Sequence, residues 1–440
     1  MAISLKLLGS LVLLAHQSNA EFSWDFNNKA QFAETPASAA NPNITKLEPQ
    51  FFKDLKSQRV RVKYGPHSVP SSKVIGGMAT FLDRNAAKPC DDCLITYMHA
   101  GLEYPNGTVA NSDTGMWLHH SVAINVGRKD TVCQASELAP QRFFASGNER
   151  TPVDLSVGGT SKTGYYLKAK DKMFMLMELM NEIPEMRDAV MTVDYEFIPG
   201  MPKGFQALDT IWLDIGGCMN SDVPPTSNTT SDYTMQPAFK MPMDGMILGM
   251  GSHLHDGGTH LTVTKNDKEI CNSVATYGAA PGYIDSNMMP GMNMTGMQGM
   301  EGMKGMPGMD KPMAMMHVSN ISSCYKPDNA EFKTGDEFQI KAFYDMTKHM
   351  GMYEADGKMS PIMGISIMYV VPQMKKMTGG ENGGENGKGG GMKGGMNGTM
   401  TGGTGVSGGK NSTMPEMSLG MKNSVGIAGL AAAVFVALLI

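Results

Sequence analysis

The sequence predicts an all-β protein of two antiparallel jelly-roll sandwich domains, carrying a disordered Met-rich insertion and a Gly-rich C-terminal stalk. Three observations lead there. Between residues 46 and 373, short runs of β-branched, aromatic and aliphatic residues are cut by Gly, Pro, Asn and Asp, which is the punctuation of many short strands. Apolar spacing of the helical kind is scarce over the same stretch. Two segments, 288–316 and 374–424, are so rich in Gly and Met that burial cannot offset their chain entropy.

Residues 1–20 read as a signal peptide, because Lys6 precedes an apolar run at 7–14 and Ser18, Asn19 and Ala20 give a small-x-small cleavage pattern. A flexible polar lead-in covers 21–45. The N-terminal domain is expected over 46–222, with strands near 74–82, 93–102, 121–126, 165–179, 191–198 and 210–215. The C-terminal domain is expected over 223–373, with strands near 246–248, 261–264, 337–344 and 364–371. It is interrupted by a Met-rich loop at 288–316, in which Met294, Met297, Met300, Met303, Met306 and Met309 keep a strict period of three. The Gly-Met-x register is too short for a collagen triple helix. Residues 374–424 form the stalk, and the uncharged segment 425–440 reads as a hydrophobic anchor signal exchanged for a glycosylphosphatidylinositol lipid. A transmembrane helix is the rival reading, but a span takes about 20 apolar residues and a basic flank. The expected location is extracellular, on the outer face of the plasma membrane or cell wall.

A net charge of −5, with neither a basic stripe nor an acidic tract, argues against nucleic acid as a partner. Six cysteines in an oxidising compartment, Cys90, Cys93, Cys133, Cys218, Cys271 and Cys324, predict three disulfides. Cys271 and Cys324 flank the Met-rich loop and are expected to close it at its base. The pair in Cys90-Asp-Asp-Cys93 has no βαβ context and no second copy, and reads as a structural bridge. Asn-x-Ser/Thr acceptors at Asn43, Asn106, Asn228, Asn293, Asn320, Asn397 and Asn411 point to a glycoprotein.

The candidate chemistry lies in histidine and methionine. His119 and His120 are adjacent in Met116-Trp117-Leu118-His119-His120, and neighbours on a strand face opposite ways unless the backbone bends. His253 and His255 are two apart, which on a strand places both imidazoles on one face, where neutral imidazole suits copper or zinc. The chain has 43 methionines. Thioether sulfur is a soft ligand that prefers Cu(I), so the period-three methionines make a candidate Cu(I) loop. No phosphate-binding loop or nucleophile elbow occurs.

The stretches Lys63 to Pro70, Pro89 to Cys93 followed by Met116 to His120, and Ser252 to Gly258 resemble the stress up-regulated nodulin-type family. That family is similar to the copper type II, ascorbate-dependent monooxygenases such as peptidylglycine hydroxylating monooxygenase. The resemblance runs from about 46 to 373 and implies two nine-stranded jelly rolls facing each other across a wet cleft, each with one copper. His119 and His120 match the adjacent pair of one site, and His253 and His255 the His-x-His of the other. Met363 is the nearest methionine for the second site, one residue from its expected place. The strand that supplies a third histidine to the first site here reads Met173 to Met180 without one, leaving Met177, Glu178 or Met180 as substitutes. Gly251 and Ser366 stand near positions where the monooxygenase grips a peptide with arginine and tyrosine, so peptide amidation is not expected.

These expectations describe a cell-surface copper-binding glycoprotein that captures or holds one or two copper ions through its His pairs and Met-rich loop. Two alternatives stay open: a copper- and ascorbate-dependent monooxygenase of unknown substrate, and a metal-free wall or adhesion glycoprotein.

Overall fold

The computed structural model describes residues 33–34, 43–133, 139–218, 220–285, 315–353 and 358–373. The signal peptide, the methionines from Met294 to Met309, the stalk, the anchor signal and the acceptors Asn293, Asn397 and Asn411 lie outside the described residues. The described residues belong to one compact unit, Met1–Lys376. As the turn punctuation predicts, the fold is all-β, and the only helical turns among the described residues are three-residue 3-10 segments such as Lys53–Leu55.

In the first half, Met78–Asp83, Met173–Asn181, Met116–Lys129 and Pro140–Gly147 lie side by side in a five-stranded sheet. A seven-stranded sheet faces it, with Cys93–Glu103, Arg187–Pro199 and Gln58–Val69 at its centre. Alternation explains the layering. Val60, Val62 and Tyr64 of Gln58–Val69 are buried, while Arg59, Arg61 and Lys63 between them point outward to Asp194 and Glu103. Met98, Met175, Met177 and Met191 are fully buried in this core, so part of the methionine excess fills ordinary apolar space. The expected run 165–179 is two strands, Thr163–Leu167 and Met173–Asn181. The polar turn at 168–172 separates them, with Asp171 N donating to Lys168 O at 3.0 Å.

The second half repeats the two-layer scheme. A six-stranded sheet centres on Glu337–Asp345 and Gly258–Lys265, and a five-stranded sheet on Gly364–Pro372 and Gly245–Leu254. Asp209–Asp214, which the sequence assigns to the first half, pairs along its whole length with Gly364–Pro372. This five-stranded sheet is buried on both faces. In Gly364–Pro372, Ile365, Ile367, Tyr369 and Val371 pack into the core of the first half, while Met368 and Val370 pack into the core of the second. The continuous apolar run Ile365 to Val371 is the sequence signature of a strand buried on both sides. The seam between the halves is therefore apolar here, where the resemblance implies a wet cleft.

Three disulfides form: Cys90–Cys93, Cys133–Cys218 and Cys271–Cys324. The last is the bridge expected at the base of the Met-rich loop. Of the described glycan acceptors, Asn106, Asn228 and Asn320 are exposed.

Candidate metal centre

His119 and His120 sit on Met116–Lys129, beside Met173–Asn181. The pairing of these strands slips at the histidines. Glu178 faces His120, and the next pair is Leu179 with Leu118, which leaves His119 as the extra residue of a bulge. The bend turns both rings toward one carboxylate. Glu178 Oε2 accepts from His119 Nδ1 at 3.0 Å and from His120 Nδ1 at 2.7 Å. Of the three substitutes left open for the first site, Glu178 lies beside the histidines but on the Nδ1 side of their rings, as an outer partner, and Met177 is buried in the core.

His253 lies near the end of Gly245–Leu254, and His255 follows one residue beyond it. Two residues of extended chain bring both rings to the same side, as the His-x-His spacing predicts, with ring centres 5.4 Å apart. His253 Nδ1 donates to Glu149 Oε1 at 3.0 Å, and His255 Nδ1 donates to the Pro361 carbonyl at 2.7 Å. A bound Tyr344 hydroxyl ties this strand end down: it accepts from His255 N at 3.1 Å and donates to Met363 O.

The two pairs meet in one cluster. His120 Nε2 lies 3.2 Å from His253 Nε2 and 3.0 Å from His255 Nε2. His119, His120 and His255 each place a ligand atom within 4.8 Å of the others. The tautomers follow from the outer partners. A carbonyl only accepts, and the Glu149 and Glu178 carboxylates are ionised, so Nδ1 carries the proton on His120, His253 and His255. Burial alone would push both carboxyls up, but electrostatic attraction to and hydrogen bonds from their histidines outweigh it and hold them below the usual carboxylate range. Burial, reinforced by the neighbouring rings, pushes the His120 imidazole down to about 3 and His255 well below its ordinary value. With Nδ1 turned to these outer partners, His120 Nε2 faces the Nε2 atoms of both His253 and His255.

A metal ion fits among these nitrogens. Two nitrogens about 2.0 Å from one ion, subtending roughly 90–110°, are roughly 2.8–3.3 Å apart. The observed Nε2 separations fit this, and an anionic or carbonyl partner behind each ring is the usual support for a ligating histidine. Two further residues carry no sequence signal for their roles. Glu149 is an isolated acid in a turn. Gly147 pairs with His120, and a Cβ there would stand 2.5 Å from His253 Cε1, so only glycine leaves room for the ring. Met363 lines the same cavity as His120 and His253.

Two curated relatives share this chain's sequence at length. "Probable copper-dependent oxygenase M1" of Phoma sp. is 34% identical over 318 residues, covering 72% of this chain and 73% of its own. "Probable copper-dependent oxygenase clz3" of Cochliobolus lunatus is 33% identical over 275 residues, covering 62% of this chain and 78% of its own. The chain belongs to this copper-dependent oxygenase family. The relationship to copper oxygenases that the motifs imply thus stands at the family level. No protein-family profile matches the chain. Among solved structures, PNGF-II in its C2 crystal form aligns with a TM-score of 0.34 at 8% identity, over 79% of this chain and 64% of that one. A likeness that slight carries no argument.

Proposed function

We propose that this chain is a copper-dependent oxygenase working at one centre, with copper held by imidazole nitrogens of the cluster His119, His120, His253 and His255. The convergence of these imidazole nitrogens, with His120 Nε2 3.2 Å from His253 Nε2 and 3.0 Å from His255 Nε2, on rings whose Nδ1 already has a partner, is the observation that carries this reading. Imidazole donors suit copper, and the Met363 thioether on the cavity wall is the soft donor that favours its reduced form. Copper bound there supplies the one-electron steps that reductive use of dioxygen requires. Glu178 and Glu149 fix the rings and balance the charge of the ion. The membership of the oxygenase family favours turnover over simple copper capture. The exposed acceptors Asn106, Asn228 and Asn320, together with three disulfides, support a secreted, glycosylated form.

The test is metal analysis of the full chain after copper loading and dialysis, followed by oxygen uptake with ascorbate as reductant. Stoichiometric copper and an uptake abolished by His253→Ala are expected. Equal uptake by the variant, or copper lost on dialysis of the wild type, would sink the proposal.

A further inference from the structure

Beside the histidine cluster, in the apolar seam between the two halves, lies a cavity open to His120 and His253. Val122 and Ala145 form one wall, and Trp212, Ile365, Ile367 and Tyr369 the other. We infer that this cavity is the substrate site and that it takes a neutral, predominantly apolar organic molecule, held with a C–H bond next to His120 and His253. The inference rests on the oxygenase reading above and adds the class of substrate.

The argument is one of missing handles. Glu149 is the one acidic side chain in the lining among the described residues, it is occupied with His253, and no Lys or Arg joins it. Away from the metal centre, a carboxylate entering the cavity would lose its hydration without gaining a Lys or Arg partner from the walls, which costs several kcal/mol. Several polar tips in the walls are already used. The Tyr369 hydroxyl donates to Phe143 O at 3.2 Å, and Trp212 Nε1 donates to Asp214 Oδ2 at 3.4 Å. Ser146 donates to Gly147 O at 3.2 Å, and Ser252 donates to Ser273 Oγ at 3.0 Å. The surface lining the cavity is mostly apolar.

Space for the guest is set in part by Gly251. A Cβ built there meets nothing nearer than Ser323 Oγ at 3.9 Å, so the backbone accepts a side chain, and a large one projects into open room. Binding sites of this kind are mostly apolar with few polar groups, and specificity follows from which polar groups are absent as much as from those present.

The experiment titrates the full-length, copper-loaded protein with toluene, benzoate and benzylammonium, three probes of similar size and different charge. Trp fluorescence and the Cu(II) paramagnetic resonance signal read binding without turnover. Toluene is expected to bind at least about tenfold more tightly than either ion. Gly251→Leu is expected to weaken toluene by a similar factor with copper content unchanged. Benzoate binding as tightly as toluene would overturn the inference, as would a folded, copper-replete Gly251→Leu that keeps wild-type toluene affinity. If the variant does not fold, the charge ranking in the wild type decides alone. Copper retained without toluene binding removes only this inference, whereas toluene binding to a chain that holds no copper removes only the oxygenase reading.

Discussion

Glu178 holds two imidazoles with one oxygen atom, and the negative charge that strengthens both hydrogen bonds is what a neutral amide lacks. Glu178→Gln is therefore expected to lower copper affinity about 10- to 100-fold while circular dichroism stays unchanged, as for other outer partners of ligating histidines. Competition titration with a copper chelator measures it. His67 behaves differently. It is 3% exposed, packs on Phe81 with ring centres 4.5 Å apart, and has no partner for Nε2. Burial pushes its imidazole down to about 4. The unfolded chain takes up this proton near pH 6.5 and the folded chain only near 4, so His67 contributes stability above pH 6.5 that is lost as pH falls through this window. The loss amounts to roughly 3 kcal/mol. Denaturant unfolding from pH 7 to 4 should show it, and His67→Leu should flatten that limb.

At the scale of elements, the bulge at His119 and the bridge at Cys271–Cys324 have different visibility. The bridge was legible because two cysteines flank the Met-rich segment. Its sequence separation of 53 residues implies that closing the loop removes about 4 kcal/mol of unfolded-state entropy. The double variant Cys271→Ser/Cys324→Ser should lower the thermal midpoint accordingly, and an unchanged midpoint would show that the unfolded chain is already compact there. The bulge was not legible. Adjacent histidines are consistent with rings on opposite faces or on one, and the slip between Glu178 and Leu179 that decides between them depends on a strand more than fifty positions away. The strand Gln58–Val69 was also passed over, since its outward Arg and Lys break the apolar runs that mark the other strands, although its alternation is regular.

For the whole molecule, the candidate metal centre draws His119 and His120 from the first half and His253 and His255 from the second, so copper held there would tie the two halves together. A ligand that binds only the folded state at 100 times its Kd adds about 2.7 kcal/mol. Calorimetry with saturating copper should raise the unfolding temperature of the full chain, and a chelator should reverse the shift; a midpoint indifferent to copper would argue against a site spanning the seam. The sequence by itself determined the all-β class, the disulfide count, the bridge at the loop base, the two histidine pairs and the kinship with copper oxygenases. These rest on local composition, spacing and motif order. Only the tertiary structure decided that the pairs share one centre, that Glu178 and Glu149 set their tautomers, that Gly147 makes room for His253, and that an apolar cavity adjoins them. Each of those depends on which residues of distant strands face one another across the seam, and that follows from the register and packing of the sheets, which no local pattern specifies.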